Sequence, residues 1–246
     1  MLPSSWRPIE HRGRLIRMGA PHDGGYPVSI TSVEQADVLL SMGLNDDWRF
    51  EEDFRQRRPG ARVICFDHTV TGRFWAKYTL IAVLKGSLGR AQKAFQYRRF
   101  FSSSGNEHRR LQIGYDGPES TSLASILKDL EGKSIFLKCD IEGGEYRILD
   151  EIVTNQARFT GIAIELHDVD LQRDRIDTFI RELDRFAIVR LHANNFGGVD
   201  PAGDPLVIEV TFTRIDLIDS NARDPGIVEL PNNPSAPDIA IVFDYA

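Results

Sequence analysis

Only two of the 246 residues are cysteine, Cys65 and Cys139, and each sits inside an apolar run. Their separation fits no zinc-ligand spacing, so both read as small buried hydrophobes in a reducing compartment. No apolar stretch approaches the roughly 20 residues that span a bilayer. The opening residues, MLPSSWRPIEHRGR, hold no apolar core of the signal-peptide kind. A cytoplasmic protein with no membrane span is therefore expected. Positive charge is also short: 30 Lys and Arg against 36 Asp and Glu give a net charge of −6. That balance lacks the broad basic footprint of a nucleic-acid binder, so no nucleic-acid partner is expected. The short basic clusters (Arg55, Arg57 and Arg58; Arg98 and Arg99; Arg109 and Arg110) read first as solvated faces. Their other reading is contact with a substrate phosphate or an anionic partner. GxGxxG and GxxxxGK[ST] are both missing, so neither a dinucleotide fingerprint nor a phosphate-cradling loop is supported. Internal repeats and low-complexity stretches are absent too.

What remains is an ordinary globular composition, 41% hydrophobic and 27% charged. The length suits a single domain over residues 1–246, with 1–36 as an N-terminal flap before a core over 37–246. A chain of this size buries roughly three quarters of its unfolded surface and needs no disulfide or metal to fold. Asp37–Gly43, Ala61–Asp67, Ile135–Asp140 and Gly161–His167 are continuous apolar runs, the mark of strands covered on both faces. A further strand is expected near Tyr97–Ser102 or Leu111–Tyr115. Helices are predicted over Asp46–Arg57 (capped by Asn45), Arg73–Lys85, Thr121–Leu130 (capped by Ser120 or Thr121), Gly144–Val153 and Leu171–Arg185. Strand and helix alternate, giving an α/β fold with a mainly parallel sheet. Ala187–His192, Leu206–Thr213 and Asp238–Phe243 lack intervening helices and predict antiparallel strands at the C-terminal edge. Residues 216–236 read as a surface excursion.

In doubly wound sheets ligands sit beyond the carboxyl ends of the strands. After the first strand comes Gly43, which permits close backbone approach. The second ends at Asp67, 24 residues on, where a carboxylate can accept both hydroxyls of a ribose; its plainer reading is a turn acid. Asp140, Glu142 and Glu145 follow the fourth strand and suit a cationic group, an amine or a metal. Glu165, His167 and Asp168 follow the fifth, and His192, Asn194 and Asn195 the sixth. A lone strand-end histidine is usually structural, but two beside several acids favour a functional edge.

These residues carry a resemblance. LKCDIEGGEYRIL (137–149) resembles the KIDVEGAE-type segment of FkbM-like methyltransferases. TSLASIL (121–127), LLSMGLNDDWRFEEDF (39–54), VICFDHT (63–69) and HDGGYPV (22–28) are similar to flanking pieces of the same family. The likeness spans roughly residues 20–195. It departs at the glycine-rich turn, reduced to Gly43, and in the C-terminal third. The resemblance implies a Rossmann-like class I fold with a seven-stranded sheet and helices on both faces. It also implies S-adenosylmethionine (SAM) as cofactor. Ser41, Gly43, Asn45 and Asp46 would line the cofactor turn, Asp67 would take the ribose hydroxyls, and His68 would lie near the adenosine. Asp23, Gly25 and Tyr26 would close over the cofactor.

The implied reaction is O-methylation of a sugar or natural-product-like small molecule. His167 is the first candidate base, with His192 and Asp140 behind it. Glu142, Glu145, Glu165, Asn194 and Asn195 are candidate acceptor contacts. No spacing enforces a metal, though Asp140, Glu165 and His167 are hard ligands suited to magnesium or manganese. Two other readings stay open at this point, a metal-dependent hydrolase and a non-catalytic binding module on the same fold. Oligomeric state is unmarked in the sequence.

Overall fold

The apolar runs become the middle of a seven-stranded sheet. The computed structural model describes residues 1–10, 13–219 and 230–244. An N-terminal hairpin, β1 (Leu15–Gly19) and β2 (Gly25–Ser29), leads through a short helix α1 (Ile30–Glu34) into the sheet. The first half then runs β3 (Val38–Met42), α2 (Arg49–Arg57), β4 (Arg62–Phe66), α3 (Gly72–Leu84), α4 (Leu88–Phe101) and β5 (Asn106–Arg109). Two-residue strands β6 (Gln112–Ile113) and β7 (Ser120–Thr121) pair apart from the sheet. The second half runs α5 (Leu123–Asp129), β8 (Ile135–Cys139), α6 (Leu149–Thr154), β9 (Phe159–Leu166), α7 (Val169–Glu182), β10 (Phe186–Ala193) and β11 (Ile208–Arg214).

The strand order is β10-β11-β9-β8-β3-β4-β5. β5, β4, β3, β8 and β9 are parallel, and β11 runs antiparallel between β9 and β10. The order turns back between β3 and β8, the switch point at which such sheets bind ligands. Residues alternate in β3: Val38, Leu40 and Met42 join the core beneath α5, α6 and α7, while Leu39 joins the opposite core with Tyr26, Phe50, Phe54 and Phe136. Both faces are thus covered, which explains why the strands read as unbroken apolar runs.

Several local expectations are corrected. Asn45 does not cap α2; it adopts a left-handed φ of 47° inside the loop, and the helix starts only at Arg49. Ser122, not Ser120 or Thr121, caps α5 by accepting from the Ser125 amide. Tyr97–Ser102 is the end of α4, and the missing strand is the polar β5. The DIEGGE helix is a short 3-10 turn, Glu145–Arg147, followed by α6. Asp238–Phe243 forms no strand, only a bridge from Phe243 to Leu2. Part of the 216–236 excursion lies outside the described residues. Within the expected N-terminal flap, the hairpin lies packed on the sheet: β2 is buried along its whole length, and Thr211 donates to the Pro27 carbonyl at 2.9 Å. Among the described residues no helix is long and apolar enough to cross a membrane.

Candidate active site

A cavity of about 610 Å³ opens at the carboxyl ends of β3, β4 and β8. Its floor exists because residue 43 has no side chain. Gly43 holds φ at +85°, and a Cβ there would stand 1.6 Å from the Asp140 carbonyl oxygen. The loops are tied across this contact: the Gly43 amide donates to the Phe66 carbonyl (3.0 Å) and the Asp140 amide to the Met42 carbonyl (2.9 Å). The left-handed bend at Asn45 aims two amides, those of Leu44 and Asn45, at Asp67 Oδ2 (3.0 and 2.9 Å). Oδ1 of the same carboxylate accepts from the Thr69 amide and hydroxyl (2.7 and 2.6 Å). Burial opposes the charge on Asp67, but these hydrogen bonds outweigh it and hold the carboxyl below its usual range. A carboxylate offers about four acceptor positions, and all are in use. Asp67 is therefore a staple between the β3 and β4 loops, and a ribose hydroxyl would have to share it.

Lys138 was not anticipated. Embedded in β8 and fully buried, it donates from Nζ to the Gly43 carbonyl (2.9 Å) and lies 3.9 Å from the buried Glu51. Sequence reasoning passed over it because it interrupts an apolar strand; a lysine in such a run is itself the signal. Leu111, Gln112, Ile113 and Tyr115, from the stretch around β6, supply a further wall.

Beside the cavity, the ends of β8 and β9 carry an acid–histidine cluster. Tyr26 donates from its hydroxyl toward Asp140 Oδ2 (3.4 Å) and Glu165 Oε2 (3.3 Å). Asn194 donates to Glu165 Oε1 at 3.0 Å. His167 faces Glu165 and Glu142 through Nε2, both at 3.5 Å, and Glu145 through Nδ1 at 3.2 Å. Ligand atoms of Asp140, Glu165 and His167 all lie within 4.8 Å of one another, so these three could hold a divalent ion. Asp140 alone of this trio lines the cavity.

Burial, partly offset by Lys138 and His167, lifts the Asp140 pKa to about 6. Burial and repulsion from Asp140, Glu209 and Asp23 push Glu165 to about 10. Burial alone would lower His167, but its hydrogen bond to Glu145 and the surrounding carboxylates raise it above 6.5.

The other expected residues separate. Asp23, Asn45, Asp46, Asp67, His68 and Glu142 line the cavity with Gly43. Ser41 does not; it is buried and donates to Glu51 at 2.5 Å. Gly25 lies in the hairpin, where a Cβ would meet the Ala20 carbonyl at 1.8 Å, so its lack of a side chain serves packing. Glu145 is buried, accepting from the Ile141 amide at 2.9 Å. His192 is held by Asp238 (3.1 Å) and Glu209 (3.7 Å), away from the cavity. Asn195 pins the C-terminal segment through the carbonyls of Asn233, Ala236 and Pro237.

A family model described as "Methyltransferase FkbM domain" matches residues 27–193, from the hairpin to the end of β10. The chain belongs to the FkbM methyltransferase family. It is thereby a SAM-dependent methyltransferase by family, which replaces the hydrolase alternative. No curated protein matches this FkbM methyltransferase. Solved structures do. An rRNA methylase from Streptococcus thermophilus is 14% identical, covering 75% of this chain and 92% of its own at a TM-score of 0.39. A precorrin-6y C5,15-methyltransferase from Geobacter metallireducens is 11% identical, covering 75% and 86% at 0.40. The 23S rRNA methyltransferase ErmE is 8% identical, covering 75% and 66% at 0.42. These are similarities at the level of the fold. RNA methyltransferases are among these similar structures, and the expectation that nucleic acid is excluded as a partner is withdrawn. Net charge over a whole chain does not describe a local surface.

The cavity suits the cofactor that the FkbM family and fold imply. The bare Gly43 turn leaves room against the β3 loop, and the volume falls in the 300–1,000 Å³ range typical of small-molecule sites. The cluster beside it should leave a mark on stability. Glu165 titrates near 4.5 when unfolded and about 10 when folded. The folded protein thus holds a proton that the unfolded chain has lost between those values. Stability falls as pH rises through that window, by up to about 1.4 kcal/mol per unit. Asp140, raised to about 6, acts in the same direction over a narrower window, and His167, also raised, acts in the same direction. The melting temperature of the ligand-free FkbM enzyme is expected to drop from pH 6 to pH 9. Glu165→Gln, which keeps shape without charge, should flatten that slope; an unchanged slope would show that Glu165 ionises normally.

Proposed function

We propose that the enzyme methylates a hydroxyl of a small sugar- or natural-product-like acceptor seated over the ends of β8 and β9, with Asp140 as the base. The observation behind this reading is the position of Asp140. It belongs to the acid–histidine cluster, it lines the cavity, and its pKa of about 6 leaves it ionised yet basic at neutral pH. SAM brings a methyl group on its own sulfonium leaving group. The protein's part is alignment, a dry site and one proton. Asp23, Gly43, Asn45, Asp46 and His68 form the cofactor side of the cavity, with Asp67 fixing the loops and Lys138 holding the Gly43 carbonyl. Tyr26 orients Asp140. His167 takes second place to Asp140: it stands behind the carboxylate, biasing its charge and sharing its proton. Glu142, at the rim, is the candidate acceptor contact; Glu165 and Asn194 support the cluster from below.

The first test is binding. S-adenosylhomocysteine at about 100 times its Kd should stabilise the protein by about 2.7 kcal/mol, a rise of roughly 5–10 °C for a chain of this size. Asp67→Asn should weaken that shift by releasing the loops. Transfer from labelled SAM to a panel of hydroxyl acceptors then tests the chemistry, with and without EDTA. Turnover indifferent to EDTA supports Asp140 as an unassisted base. Loss on EDTA, restored by magnesium or manganese, would make the trio a metal site instead. A flat melting curve with S-adenosylhomocysteine sinks the cofactor assignment of this cavity.

A further inference from the structure

α3 and α4 form a hairpin unlike the rest of the chain. Residues 72–101 contain seven Lys or Arg and no Asp or Glu, in a protein whose net charge is −6. Its base is anchored. Trp75 meets Trp48 (6.0 Å) and Tyr97 (4.9 Å), and Lys93 pairs with Asp46 at 2.9 Å just beyond the carboxyl end of β3. From there α4 descends along β5, Tyr97 contacting His108 and the Phe100 carbonyl accepting from Asn106. The residues before Lys93, and the turns of α3 beside them, therefore stand beyond the sheet edge. At about 1.5 Å per residue, the six steps from Tyr78 to Leu84 rise about 9 Å. Asp46 and Lys93 also line the cavity, so the tip stands beside its mouth.

The tip is apolar and uncovered. Leu80, Ile81, Val83 and Leu84 are all exposed, Leu80 to 60% and Leu84 to 77%. Lys77, Lys85 and Arg90 lie on the same hairpin, also exposed, with Arg73 nearer its base. Isolated exposed leucines need no explanation, but four exposed apolar residues within five positions, on a hairpin whose only charges are positive, do. Its chemistry matches an interfacial helix pair, with apolar side chains reaching about 5–10 Å past the headgroups and basic groups on anionic lipid. RNA would use the cations and leave Leu80, Val83 and Leu84 idle. A second copy meeting this face symmetrically would set cations against cations.

We propose that the α3–α4 hairpin docks the enzyme on an anionic lipid surface, with the mouth of the cavity turned toward that surface. The contact is peripheral, and its rise of about 9 Å reaches only the headgroup and upper acyl region. The experiment is co-sedimentation of the full-length protein with vesicles of phosphatidylcholine plus phosphatidylglycerol, and with phosphatidylcholine alone. Binding to the anionic vesicles, with little to the neutral ones, is expected. Lys77→Glu or Arg90→Glu should weaken it by more than about fivefold per site. Leu80→Asp and Leu84→Asp, on exposed positions that leave the melting temperature and the S-adenosylhomocysteine shift unchanged, should each weaken it by about tenfold. Failure to bind either vesicle overturns the proposal. So does vesicle binding that survives both leucine changes, or a dimer in solution dispersed by Leu84→Asp. Binding of single-stranded RNA that is lost with the cations but indifferent to Leu80→Asp and Leu84→Asp, without vesicle binding, makes the hairpin an RNA contact instead.

Discussion

Gly43→Ala is expected to unfold or nearly unfold the enzyme and to abolish its response to S-adenosylhomocysteine. Two independent costs meet at this residue. A φ of +85° is a conformation that L side chains rarely adopt, and the new methyl would sit 1.6 Å from the Asp140 carbonyl oxygen. The obstacle is backbone, not a side chain that can swing away. Strain of this kind costs about 1–3 kcal/mol, overpacking a further 1–3 kcal/mol, so a loss of about 3–5 kcal/mol follows, large against the whole stability of a domain. Relief would require parting β3 from β8, which opens the floor of the cavity. The measurement is a pair of melting curves, with and without S-adenosylhomocysteine. A variant within about 1 kcal/mol of wild type that still responds to the ligand would show that the two loops do not approach in this way.

Asp140→Asn is expected to lower kcat by about 10²–10⁴-fold while leaving the melting temperature at or above that of the parent. The amide is isosteric and removes a charge that burial opposes. For the parent, kcat should rise with pH through an apparent value near 6, because the carboxylate must be ionised to accept the proton and its folded pKa is raised to about 6. Imidazolium at His167 lowers that value, so His167→Gln should move the limb upward. The two groups interact, and the observed limb belongs to the pair. If Asp140→Asn turned over within a few fold of the parent while His167→Gln did not, the base would be His167 and the roles proposed here would be exchanged.

The middle of the sheet was legible because buried parallel strands need apolar residues on both faces, and ARVICFD or GIAIELH can be little else. The edge was not. β5 is four polar residues, Asn106–Arg109, paired on one side only, and α4 packs on α3 with much of its circumference in water. Neither carries the periodicity that sequence reading depends on. Asp238–Phe243 misled for the opposite reason: an apolar segment can be extended and docked without joining a ladder. In the site, strand-end positions located Gly43, Asp67 and Asp140 because topology alone brings those ends together. Which acid faces the cavity, and which histidine is spent on Glu209 and Asp238, depends on side-chain direction and tertiary partners that no spacing encodes. Asn45 shows the same limit. Its residue type suits a helix cap, but the demand of Asp67 for two amides bends the loop and postpones the helix.

The placement of β11 bears on how the molecule forms. This strand emerges after both β9 and β10, yet it fills the gap between them and pairs with both. Until it arrives, each of those strands presents an open row of amides and carbonyls, the template on which unintended pairing starts. Closure of the sheet is thus a late, long-range event, slow by the entropy of the loop it must close. A nascent chain stalled short of Ile208 would carry the complete cofactor cavity walls from β3, β4 and β8 but two unprotected edges, placing its hazard in aggregation rather than in chemistry.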